Sequence, residues 1–102
     1  MVKWTAHAKA QLRHIHDYIA QDSPLYAKRV SEEMVHRTIG LDELPRKGHT
    51  VPELNEDALR ELGLYSYRII YEIKPDQLIE VLAVIHKRQR QHMEPEEIAR
   101  ER

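Results

Sequence analysis

Apolar residues recur on two different periods along this chain, and the change of period divides it. Ala8, Leu12, Ile15 and Ile19 fall at helical spacing, while Lys9, Arg13, His16 and Asp17 turn away from that stripe. Thr5 suits the N-cap of this helix, and Val2-Lys3-Trp4 before it has the alternation of a short edge strand. The helix is expected to end near Gln21. Asp22-Ser23-Pro24 then restarts one, with Ser23 as cap and Pro24 as first helical residue. Its stripe is Ala27, Val30, Met34 and Leu41, flanked by Val35 and Ile39, which predicts a helix to about Leu44. Two helices joined by so short a turn form an antiparallel hairpin.

From Pro45 to Ala58 no period is visible, and this stretch reads as a loop with an extended piece at Val51 to Leu54. After it the period becomes two. Leu59 to Leu62 is a short strand. In Tyr65 to Ile73, Tyr67, Ile69, Tyr71 and Ile73 face one way; Ser66, Arg68, Ile70 and Glu72 face the other. Lys74 to Gln77 is a turn. Leu78 to His86 follows, with Ile79, Val81, Ala83 and Ile85 on an apolar face and Leu78, Glu80, Leu82, Val84 and His86 on a mixed one. The apolar face is expected to pack on the helices and the mixed face to be partly open. The pattern predicts an α+β fold: an N-terminal strand and a helical hairpin on one face of a small antiparallel sheet, in the order β-α-α-β-β-β. One domain is expected over residues 1–92, with a helical tail at 93–102.

Composition narrows the field. A chain of 102 residues suits one domain. It has no cysteine, which excludes disulfides and thiolate metal sites and suits a reducing cytoplasm. No apolar run is long enough to span a bilayer, and no secretory segment is expected, so no membrane partner is foreseen. Sixteen basic residues stand against seventeen acidic ones, a net charge of −1. A nucleic-acid binder usually has a basic excess, so any anion site here must be local.

The local candidate is the end of the last strand. Residues Val84 to His92, VIHKRQRQH, release His86, Lys87, Arg88, Arg90 and His92 in quick succession. A three-residue hairpin loop would set Arg68 beside Val84, with His86 a diagonal neighbour roughly 7–8 Å away on the same face. Arg60 on the preceding strand would join them. His86 suits proton transfer, and Arg68 and Arg88 suit stabilising phosphoryl charge, as a minimal ribonuclease requires. The same cluster also reads as a docking patch of Arg60, Lys87, Arg88 and Arg90, or as a solvated strand end that discourages edge pairing. Arg68 would then simply pair with Glu72 or Glu80. His14 and His16 point to different sides of their helix, and no HExxH or glycine-rich phosphate loop occurs, so neither metal nor cofactor is expected.

Taken in order, Trp4 with Ala8, QLRHIHDYIA, Asp22 to Pro24, LDELPRKG, VPEL, LREL, YRIIYEI and VIHKRQ resemble the RelE/ParE superfamily of toxins, and its ParE branch more closely. The resemblance covers about residues 2–92. It implies the toxin of a bacterial type II toxin–antitoxin pair, acting in the cytoplasm and neutralised by a cognate antitoxin that reaches operator DNA on the toxin's behalf. ParE-like members poison DNA gyrase; RelE-like members cut mRNA on the ribosome. Arg68 and Arg88 match arginines of the nuclease type. The paired lysines of that type are absent from Leu59-Arg60-Glu61-Leu62, and its tail tyrosine falls near Glu94. An acid–arginine–histidine set of Glu53, Arg68 and His86 is the other nuclease pattern. His49 stands where many relatives have arginine. The resemblance therefore implies gyrase inhibition first and ribosome-dependent mRNA cleavage as the alternative. The apolar residues Leu78, Leu82 and Val84 are expected on an exposed antitoxin-binding surface.

Overall fold

The computed structural model describes residues 1–87. Strand β1 (Val2–Trp4) leads into helix α1 (Ala6–Ala20) and helix α2 (Pro24–Thr38). A 3-10 turn at Pro45–Lys47 is followed by β2 (His49–Thr50), β3 (Leu59–Leu64), β4 (Tyr67–Ile73) and β5 (Ile79–His86). The caps are those the sequence suggests. Thr5 accepts a hydrogen bond from the Ala8 amide at 3.0 Å, and Ser23 accepts one from Tyr26 at 3.1 Å ahead of Pro24.

The sheet has five strands in the order β1-β5-β4-β3-β2. It is mixed rather than wholly antiparallel, because β1 runs parallel to β5 while the other pairs are antiparallel. The hairpin of helices carries the chain across between β1 and the rest, as a parallel neighbour requires. The helices cover one face, where Ala8, Val30, Met34 and Leu41 meet Ile69, Tyr71, Ile79, Val81 and Val84.

Three local expectations change. Helix α2 stops at Thr38, not Leu44. Thr38 turns its hydroxyl back onto the Val35 carbonyl at 2.7 Å, Ile39 is extended and Gly40 has φ 88°, a left-handed value that glycine tolerates. Leu41 still reaches the core, from a turn rather than from a helix. The extended piece of the loop is His49–Thr50, paired with Glu61 and Arg60, and the residues from Pro52 to Leu54 are turns. A tail beyond residue 92 lies outside the described residues.

The third change moves side chains across the sheet. Near the turn, β4 and β5 pair as Ile73↔Ile79, Glu72↔Glu80 and Tyr71↔Val81; then the register shifts, and Ile70 pairs with Ala83 and Arg68 with Ile85. Leu82 is the extra residue of a β-bulge. A one-residue slip sends every later side chain to the other face. Leu82 and Ala83 both pack into a second cluster with Val51, Leu59 and Ile70 on the face away from the helices. Val84 joins the helix-side core and Ile85 leaves it, the reverse of strict alternation.

Candidate functional site

Arg68 is 1% exposed in the middle of the sheet. Its two terminal nitrogens donate to the two carboxylate oxygens of Glu53, at 2.9 and 3.0 Å. It also forms a close ion pair with Glu61, itself buried. The partners are therefore not Glu72 or Glu80. Glu61 is a diagonal neighbour of Arg68 across the β3–β4 hairpin, where Leu64 pairs with Tyr67 and Glu61 with Ile70. Glu53 arrives from the loop. A guanidinium suits this two-pronged grip on a carboxylate. Burial opposes the charge of Arg68, but the hydrogen bonds and fields of Glu53 and Glu61 outweigh it and hold its pKa above the ordinary value.

Arg60 does not join Arg68. It pairs with Tyr71, so the two arginines lie on opposite faces. Arg60 donates to the Gly48 carbonyl at 3.0 Å, and to the Asp57 carbonyl and carboxylate at 3.0 and 2.6 Å. Arg46 holds the same carboxylate. Hydrogen bonds from Arg46 and then Arg60 push the Asp57 carboxyl below its usual pKa. Tyr71 completes the fastening: its hydroxyl accepts from the Gly48 amide at 3.0 Å and donates to the Pro45 carbonyl at 2.6 Å. Gly48 is needed there, because a Cβ would lie 2.5 Å from the Glu61 carbonyl and 2.8 Å from the Tyr71 hydroxyl.

His86 also leaves Arg68, as a consequence of the bulge. It pairs with Tyr67, and their rings meet edge to face with centroids 5.4 Å apart. With His7, Gln11, His14 and Tyr18 it lines a groove of about 630 Å³ between α1 and the sheet. Lys87 remains near Arg68. It is exposed, and with His49, Thr50, Glu61, Gly63 and Arg68 it lines a cleft of about 390 Å³. Arg88 and Arg90 lie outside the described residues. Leu82 and Val84 are buried at 0% and 2% exposure and Leu78 is half-buried, so an exposed surface made of these three does not exist. Among the described residues no group of three His, Asp or Glu side chains could hold a metal ion, and no helix is long and apolar enough to cross a membrane.

The family model of the ParE toxin of the type II toxin–antitoxin system parDE matches residues 2–91. The chain belongs to the ParE toxin family. A relative from Caulobacter vibrioides, Toxin RelE2, is 34% identical over 85 residues, covering 83% of this chain and 92% of its own. A chain from the chromosomal ParDE system of P. aeruginosa shares the fold with a TM-score of 0.68 at 24% identity, over 83% of this chain and 92% of that one. Membership of the family makes this a type II toxin with a cognate antitoxin as partner.

Sequence reasoning missed two features of this toxin. Glu61 could have been found from the tight β3–β4 turn, which sets it diagonal to Arg68. The second is a groove of about 680 Å³ beside β1, walled by Val2, Trp4, Leu12 and Val35 and rimmed by Lys3, Lys9, Arg13 and His16, with no carboxylate in its lining. Strand β1 forms the sheet edge here and pairs on one side only among the described residues. Its signal lay in the alternation of Val2-Lys3-Trp4 and in the basic flank of α1.

Proposed function

We propose that this toxin arrests growth in the bacterial cytoplasm by binding DNA gyrase, not by cutting mRNA. The observation that carries the reading is the separation of Arg68 from His86. A nuclease needs its proton-transfer group and its cations around one phosphate. Arg68 instead spends its donors on two carboxylates, which also repel a phosphate, and His86 is on the other face of the sheet. The net charge of −1 adds no general attraction to RNA. We place the antitoxin along β1. A strand edge that is unpaired among the described residues, beside an apolar groove with a basic rim, fits an acidic segment of alternating character that adds as a further strand.

The nuclease reading is the second one, and the Lys87–His49 cleft over Arg68 is what favours it. Purified toxin in two parallel assays separates them. Loss of gyrase supercoiling with intact ribosome-bound mRNA is expected. Cut mRNA with active gyrase would reverse the order, and Arg68→Ala, His86→Ala and Arg88→Ala should then abolish cleavage.

A further inference from the structure

Strand β5 has a strand on both sides for only part of its length. β1 pairs with Ile79, Glu80 and Val81 and then gives way to α1. Beyond Val81 this flank of β5 faces the helix instead. The Thr5 hydroxyl donates to the Leu82 carbonyl at 3.4 Å, and the Gln11 side chain accepts from the Val84 amide at 2.7 Å. A glutamine thus stands where a neighbouring strand would be. Sheet edges of this kind are covered by a helix or a loop. Here α1 covers the edge incompletely and leaves the groove of about 630 Å³ beside His86.

The lining of that groove narrows what fits it. Ala10, Ile15 and Val84 are its apolar part. Its polar groups are the imidazoles of His7, His14 and His86 and the hydroxyls of Tyr18 and Tyr67. Among the described residues that line it there is no carboxylate, lysine or arginine. A phosphate would find no fixed positive charge. Imidazole and phenol groups donate hydrogen bonds, so an apolar segment that also carries carboxylate acceptors suits this surface.

The chain itself supplies such a segment at the right place. Thr5 meets Leu82 and Gln11 meets Val84, so α1 and β5 advance in the same sense, and β5 ends with His86 in the groove wall. Lys87 is still tied to the sheet, its amide donating to the Ser66 carbonyl at 2.7 Å. Residues 88–102 follow directly. His7 and Tyr18 are about 16 Å apart along α1, and the stretch from Lys87 to Ile98 can reach roughly 36 Å. Turning back, it has length to spare. Its apolar residues are Met93, Ile98 and Ala99, and Glu94, Glu96 and Glu97 stand among them. The groove beside β1, with its basic rim, lies on the other flank of α1.

We infer that residues 88–102 of this chain fold back into the groove between α1 and the end of β5, with Ile98 on its apolar floor and the glutamates toward the histidines. The segment completes the cover that α1 begins and leaves the β1 groove open to a partner. This holds whichever target the toxin has.

The test uses the absence of cysteine from the chain, which lets a pair introduced by substitution close only with itself. Ile98→Cys is combined with Ala10→Cys or, as the control, with Lys9→Cys. Ala10 lines this groove and Lys9 the other, and both are exposed. A disulfide needs Cα atoms within about 7 Å. In a glutathione buffer the Ala10 pair should close within monomers with an equilibrium constant at least tenfold above that of the Lys9 pair. In the otherwise unchanged full chain, Ile98→Asp should shift the amide resonances of Ala10, His14 and His86 and leave those of Lys3 and Trp4 in place. Equal closure of the two pairs, or unmoved resonances, overturns the inference. Disulfide-linked dimers in place of closed monomers overturn it in favour of a second copy in the groove. Weak closure together with the same resonances moving on addition of antitoxin gives the groove to the antitoxin instead.

Discussion

The two faces of the sheet are covered by different means. The helix side is closed by regular elements, which satisfy their own backbone groups and need only apolar contact; Ala8, Val30 and Met34 supply it. The other side is closed by the loop at 45–58, which wraps the β2 edge. Beyond the two residues of β2 this segment has no ladder, so side-chain bonds must hold it. Tyr71, Arg60 and Arg46 fasten its start and end, and Arg68 grips its middle through Glu53. Only Val51, with Leu54 partly, adds apolar burial. The difference teaches that the conspicuous charges of this chain serve first to seal a sheet face.

The sharpest way to break that comparison is at the bulge. Val84→Asp puts a carboxylate into the helix-side core and should cost about 4 kcal/mol. Ile85→Asp, on the other face and opposite Arg68, should cost less than about 2 kcal/mol by the same reasoning. A larger loss for Ile85→Asp than for Val84→Asp in chemical denaturation would mean that the register shift is absent.

On the loop side, Arg68→Ala takes the guanidinium away from Glu53 and Glu61 in a largely buried site and should cost about 3–5 kcal/mol. Hydrogen exchange should then quicken over residues 51–58 before it quickens in α1. Uniform acceleration would contradict a loop-specific role. Tyr71→Phe removes a donor and an acceptor at once and leaves the Gly48 amide unpaired, for about 1–3 kcal/mol by denaturant midpoint. A neutral result would mean that water takes over both bonds.

The smallest effect is alkaline. Burial raises the Tyr71 and Tyr67 pKa values above the ordinary 10.0, and the bond to Glu33 raises that of Tyr65. A group whose folded pKa is raised contributes stability that is full below the unfolded pKa and is lost as pH rises through the folded one. Stability should therefore fall above about pH 10. Phenolate absorbance, taken as the difference from Tyr71→Phe, should show Tyr71 ionising above that range. Ionisation of Tyr71 at the ordinary value would mean that its ring is not shielded from water.

Much of the fold was legible from local chemistry. Thr5, Ser23 and Pro24 are cap residues because side-chain oxygens and a missing N–H suit helix starts. The apolar stripes of both helices and the alternation of Tyr67 to Ile73 follow from backbone geometry alone. The loop partners were less legible. Glu53 lies 15 residues from Arg68 and only the family pattern set the two together, whereas Glu61, 7 residues away, is tied to it by the β3–β4 turn.

By itself the sequence determined the family, the element order and the helix-facing side of β4, because these depend on periods and caps that neighbouring residues carry. Tertiary structure decided which charged groups meet. One extra residue at Leu82 inverts the outer half of β5, takes His86 from Arg68 and gives it to Tyr67. A bulge is set by how two strands and the layers on them pack, and strict alternation has no way to announce it.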